Sequence, residues 1–121
     1  MKKILLVDDE KDMVELVASR LKASNYTVIL AYDGQEALDK AHKEKPDLII
    51  LDLMLPKIDG YKVCAMLKHD VRYSSIPIIL FTARAQELDK VTDEEVKADA
   101  YITKPFEAQA LLAKIKELLK E

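Results

Sequence analysis

Glycine is scarce: the 121 residues contain two, Gly34 and Gly60. A GxGxxG dinucleotide turn or a P-loop needs several glycines close together to bring backbone N–H groups against phosphates, so both readings fail for lack of parts. Cysteine is scarcer. Cys64 stands alone, which excludes a disulfide within the chain and a cysteine metal cluster, and suits a reducing, cytoplasmic setting. Long apolar runs are missing too. Ile4–Val7 follows Lys2 and Lys3 like the start of a signal peptide, but Asp8, Asp9 and Glu10 stop it well short of the roughly 7–15 residues an h-region needs. No run approaches the about 20 apolar residues of a membrane span. Nor is there an excess of positive charge: the formal net charge is −3, which gives no footprint for a phosphate backbone. Neither a nucleic acid nor a membrane is therefore expected as a direct partner. Linkers rich in Pro, Gly or Ser, internal repeats and low-complexity tracts are absent as well.

What the chain does have is a core. Half of its residues are hydrophobic and 34% are charged, the mix of an ordinary globular domain, and its length suits one domain over 1–121. Short apolar runs at Lys3–Val7, Thr27–Ala31, Asp47–Leu51, Pro77–Phe81 and Ala100–Thr103 read as strands. Ile4–Val7, Leu48–Leu51 and Ile78–Phe81 lack polar alternation, which predicts burial on both faces. Between the strands lie stretches of helical spacing. Met13, Leu16, Val17 and Leu21 form one stripe; Ala108, Leu111, Leu112, Ile115, Leu118 and Leu119 form the clearest. Asp33 before Gly34-Gln35-Glu36 predicts an N-cap with a reciprocal Glu36. Five strands alternating with five helices through short links imply a parallel sheet covered on both sides.

Chemistry in such a sheet gathers beyond the carboxyl ends of the strands, where strand order reverses. Asp8 and Asp9 follow the first run, Asp52 the third, Thr82 the fourth, and Lys104 the fifth. Taken singly, Asp8 or Asp9 reads as a turn residue or cap, Thr82 as a strand terminator, and Lys104 as a surface lysine before Pro105. Asp52 closes four apolar residues and precedes Leu53-Met54-Leu55-Pro56, so its charge falls in a largely desolvated place and needs a partner. Together, three anions at one edge repel one another. A hard divalent cation relieves the repulsion, since Mg2+ prefers oxygen ligands, and Lys104 adds positive charge for an incoming anion, of which phosphoryl is the foremost candidate.

These residues stand in strings that resemble a known family. Ile4-Leu5-Leu6-Val7-Asp8-Asp9-Glu10, Pro46 to Pro56 with Asp59-Gly60 after it, Pro77-Ile78-Ile79-Leu80-Phe81-Thr82-Ala83 and Tyr101-Ile102-Thr103-Lys104-Pro105-Phe106 together resemble the receiver domain of two-component response regulators, over essentially the full chain. The resemblance implies a flavodoxin-like, doubly wound α/β fold with a five-stranded parallel sheet of order 2-1-3-4-5 and five flanking helices. It implies that Asp52 is the phosphoacceptor for a phosphohistidine donor, a sensor histidine kinase or phosphotransfer protein. Asp9, Asp52 and the backbone carbonyl of Met54 resemble direct Mg2+ ligands, Asp8 an acid holding the ion through water, with Mn2+ an alternative ion. Lys104 resembles the lysine that pairs with phosphoryl oxygens, Thr82 the hydroxyl that closes on them, and Tyr101 the switch aromatic that turns inward on activation. The downstream partner is expected on the face of the fourth helix, fifth strand and fifth helix, with a monomer that dimerises on phosphorylation. The chain is then a self-modifying phosphoacceptor and not a turnover enzyme.

The stretch Arg84–Lys97 departs from the family. Glu94 stands where an apolar residue is usual and Lys97 where a glycine is usual, while Leu88, Val91 and Val96 are scattered anchors, so the expected helix is short, shifted or mobile. Cys64 reads as a small packed residue, His42 and His69 as solvated surface, and the Met residues, Phe81 and Phe106 as core. Two rival functions share part of this pattern. An aspartate-nucleophile phosphohydrolase wants a second aspartate two positions after the first, where Met54 stands; a phosphorylation-independent interaction module has no need of the complete residue set.

Overall fold

The structure is a computed structural model and describes residues 1–82, 98–103 and 107–121. Runs rich in Ile, Leu and Val form β1 (Lys3–Val7), β2 (Thr27–Ala31), β3 (Leu48–Asp52), β4 (Ile78–Thr82) and β5 (Ala100–Thr103). They pair in parallel in the order β2-β1-β3-β4-β5, the flavodoxin-like order expected. Successive strand residues face opposite sides of the sheet. Leu5, Val7, Ile49, Leu51 and Leu80 therefore meet α2 (Gly34–Glu44) and α3 (Gly60–Lys68) on one side. Ile4, Leu6, Ile50, Ile79 and Phe81 meet α1 (Lys11–Ala23) and the C-terminal helix (Ala108–Leu119) on the other. Ile4–Val7, Leu48–Leu51 and Ile78–Phe81 are completely buried, which is why those runs carry no polar alternation. The expected helix within Arg84–Lys97, together with Lys104, Pro105 and Phe106, lies outside the described residues.

Three details differ from the sequence reading. Strands β3 and β4 each run one residue later than expected. Asp47 Oδ2 accepts from the Lys3 amide at 2.7 Å and Pro77 has no N–H to give, so the ladders start after them and end on Asp52 and Thr82. The buried stripe of α1 is Val14, Val17, Ala18 and Leu21; Leu16 lies off that phase and is 61% exposed. The methionines are not core. Met1, Met54 and Met66 are exposed and Met13 is only half-buried, because Met54 sits in the loop after β3 and Met66 on the outer side of α3.

Asp33 caps α2 as expected, its Oδ1 accepting from the Glu36 amide at 2.8 Å. The Glu36 carboxylate lies 3.3 Å from Lys40 Nζ, one turn along the helix. Asp59 caps α3 in the same way through the Lys62 amide at 2.9 Å. His42 and His69 are exposed, as read from the sequence.

Candidate functional site

Strand β1 has β2 on one side and β3 on the other, so consecutive crossovers leave in opposite directions and open a crevice beyond its carboxyl end. Asp8 and Asp9 leave β1 at that point. The Asp8 amide extends the ladder by donating to the Ala31 carbonyl at 3.1 Å, and its Oδ1 accepts from the Glu10 amide at 3.0 Å. Both bonds fix the carboxylate in a place where it has no exposure. Asp52 is the last residue of β3, 4% exposed, and its Oδ1 accepts from the Met54 amide at 3.1 Å. Asp9 is exposed and forms the open side of the group.

One carboxylate oxygen from each of Asp8, Asp9 and Asp52 lies within 4.8 Å of the others. The sequence predicted this meeting, and the parallel register of β1 with β3 brings it about. Three hard oxygen donors, two buried and one facing solvent, suit a divalent cation that keeps part of its water shell, as Mg2+ does. The buried pair stays fixed by main-chain hydrogen bonds, while the Asp9 side of the group faces solvent.

Thr82 ends β4 one position beyond Phe81, the register partner of Asp52, so its backbone reaches the same edge. Tyr101 lies on β5 beside Leu80 and is 46% exposed. Met54 follows Asp52 in the loop to α3, with its side chain exposed. Lys104 lies outside the described residues. Cys64 is buried on α3, and burial pushes its thiol up to about 12, which makes it inert packing.

The sequence reading gave Gly60 no physical task. Its backbone N–H donates to the Leu53 carbonyl at 3.0 Å, and a Cβ there would stand 2.2 Å from the Asp52 carbonyl oxygen. Only glycine lets α3 begin so close beneath the end of β3. The signal was present in Asp59-Gly60: a capping residue followed by glycine, where a better helix former would otherwise be expected.

Comparison with known proteins places this geometry among relatives. The family model described as "Response regulator receiver domain" matches residues 4–116. The alkaline phosphatase synthesis transcriptional regulatory protein PhoP of Bacillus subtilis (strain 168) is 50% identical over 119 residues, covering 98% of this chain and 49% of that protein. The chain spans about half the length of the curated relatives it matches. Among solved structures, the chemotaxis response regulator CheY4 of Vibrio cholerae superposes with a TM-score of 0.89 at 31% identity, covering 98% of each chain. The signal receiver domain of a signal transduction histidine kinase from Syntrophus aciditrophicus gives 0.91 at 34% identity, covering 99% of this chain and 91% of that one.

Proposed function

Because the chain belongs to the receiver domains of two-component response regulators, we propose that Asp52 accepts a phosphoryl group from the phosphohistidine of a sensor kinase or phosphotransfer protein. The observation that carries this reading is the meeting of Asp52 with Asp8 and Asp9, oxygens within 4.8 Å, at the open end of the sheet. The donor set fits Mg2+, the ion that receiver domains bind in an acidic pocket, and Mn2+ shares the same preference for oxygen. Asp9, Asp52 and the Met54 carbonyl would hold the ion directly and Asp8 through water. When bound, it offsets the negative charge of the carboxylates and of the transferring group.

The chain's own part is positioning. A carboxylate is a weak nucleophile, so Asp52 works by being held in line and stripped of bulk water; its 4% exposure and its bond from the Met54 amide supply both conditions. An Asp52 oxygen bonds to phosphorus as the phosphorus–nitrogen bond breaks, and the electron pair returns to the imidazole nitrogen. The product is a mixed anhydride that water can cleave, so the mark is reversible and the protein acts as a phosphoacceptor, autodephosphorylating without turning over a substrate. Lys104 would pair with phosphoryl oxygens. A Thr82 hydrogen bond to the charged group, worth about 1.5–3 kcal/mol, covers most of the ~2.7 kcal/mol that a hundredfold population shift requires. Repacking of Tyr101, half-exposed on β5, would carry the change to a downstream partner at β5 and the C-terminal helix, with dimerisation as one outcome.

No described helix is long and apolar enough to cross a membrane, and the reading places the domain in the cytoplasm with its kinase. Incubation with acetyl phosphate and Mg2+, followed by mass spectrometry, tests the assignment. Wild type is expected to gain one phosphoryl group on Asp52, and Asp52→Asn none. Equal labelling of the two proteins defeats it. Thr82→Ala is expected to be labelled but to lose most of the phosphorylation-dependent change in partner affinity.

A further inference from the structure

The chain's two glycines serve the two ends of one loop, residues 54–59, between β3 and α3. Neither has a positive φ, so neither is needed for backbone conformation; both are needed for space. Gly60 seats the inner end under Asp52. Gly34, the first residue of α2, seats the outer end: a Cβ there would stand 2.0 Å from the Ile58 carbonyl oxygen and 2.7 Å from Ile58 Cβ. The first N–H groups of a helix have no intrahelical acceptor. The Gly34 N–H is one of these, and it donates to the Pro56 carbonyl at 3.2 Å. Asp33 adds a second tie. Its Oδ1 caps the Glu36 amide at 2.8 Å while its Oδ2 lies 3.4 Å from Lys57 Nζ. Lys57 itself is held at φ 67°, a left-handed conformation that strains a residue carrying a Cβ.

Helix formation does not explain glycine at this place, since alanine favours a helix. The loop does explain it. We infer that the Asp33-Gly34 start of α2 is a latch that sets the position of the 54–59 loop, and thereby the affinity of the Asp8–Asp9–Asp52–Met54 site for Mg2+. Gly34 is thus a positioning residue for the metal. The inference rests on the Mg2+ reading of that site. If Gly34 gained a methyl group, the loop would yield in preference to the helix. Helix α2 is anchored through buried Ala37, Leu38 and Ala41, whereas Met54, Pro56 and Lys57 are exposed and Leu55 and Ile58 only half-buried. Displacement of the loop pulls on the Met54 backbone, whose amide also holds Asp52 Oδ1.

The test uses Gly34→Ala and Asp33→Asn; the second keeps a capping oxygen and removes the charge facing Lys57. Mg2+ affinity is measured by isothermal titration, and Asp52 labelling by acetyl phosphate is followed as a function of Mg2+ concentration. Gly34→Ala is expected to weaken Mg2+ binding about tenfold, the scale of outer-shell effects on metal sites, and Asp33→Asn several-fold. Labelling should recover towards the wild-type rate at saturating Mg2+. Unchanged affinity in the folded variants overturns the latch, as does a rate lost at every Mg2+ concentration with an unshifted midpoint. Should Gly34→Ala fail to fold, Asp33→Asn decides alone. Absence of Mg2+ binding by wild type, or equal binding by Asp9→Asn, brings down the metal reading and the latch together. Normal wild-type binding with unaffected latch variants removes the latch alone.

Discussion

Tyr26 is packed with Ile4, Val17 and Leu21 at 4% exposure, and its hydroxyl donates to Glu121 Oε1 at 2.7 Å. Burial first, and the Glu121 carboxylate second, push the phenol up to about 12. The unfolded chain titrates near 10, so the fold binds this proton more tightly. The resulting stabilisation is fully present below about pH 10 and is lost as pH rises from there through about 12. An ultraviolet titration should show a late phenolate step that Tyr26→Phe removes. Glu121→Gln should lower that step while leaving it above the ordinary range, since burial is the larger cause; a return to the ordinary value would reverse the ranking. Cys64 offers a companion case. Completely buried and raised to about 12, it should resist iodoacetamide in native protein and react only on unfolding. Its inert packing was legible from its place among apolar residues of a helical stretch, whereas the Tyr26–Glu121 bond joins residues that no periodicity relates.

Helix α3 and strands β4 and β5 are joined by one side chain. Lys68 extends from the end of α3 with 6% side-chain exposure, and its Nζ donates to the Ile76 carbonyl at 2.7 Å and the Ser74 carbonyl at 3.3 Å. It also lies 2.5 Å from Asp99 Oδ2, which accepts from the Ile78 amide at 2.8 Å. The entrances of β4 and β5 are thereby tied to α3 through a charge largely out of water. Lys68→Met keeps the stem and deletes the cation. Breaking a fully buried pair costs roughly 3–5 kcal/mol. Asp99 retains 35% side-chain exposure and its main-chain bond, so a loss of about 2 kcal/mol is expected, read as a lower urea midpoint with an unchanged slope. An unchanged midpoint would mean that solvent already carries the charge. At this scale the strands and the C-terminal helix were legible, because burial on one or both faces writes itself into apolar spacing. The phase of α1 was less so. Leu16 breaks the apparent stripe, and only packing against the sheet selects Val14 and Ala18 in its place.

The acids at the sheet edge were legible for a reason belonging to the whole molecule. Parallel strands joined by right-handed crossovers all point their carboxyl ends one way, so residues just after β1 and at the end of β3 must meet whatever the side-chain detail. The docking of the 54–59 loop on α2 was not legible, since it runs through the carbonyls of Pro56 and Ile58, groups that every residue carries. Gathering three carboxylates, two of them buried, sets the site against the stability of the fold that builds it. A cation that binds only the folded state reverses that balance, adding about 2.7 kcal/mol at a hundred times its dissociation constant. For a domain of 121 residues this corresponds to a rise in Tm of roughly 10 °C between EDTA and saturating Mg2+. Asp9→Asn should melt higher than wild type in EDTA, because one of three like charges is gone, and should lose most of the response to Mg2+. Sodium chloride at matched ionic strength should not reproduce the rise, since screening acts weakly on groups as buried as Asp8 and Asp52. If salt alone raised Tm as far as Mg2+ does, the cluster would be a diffuse surface charge and not a site.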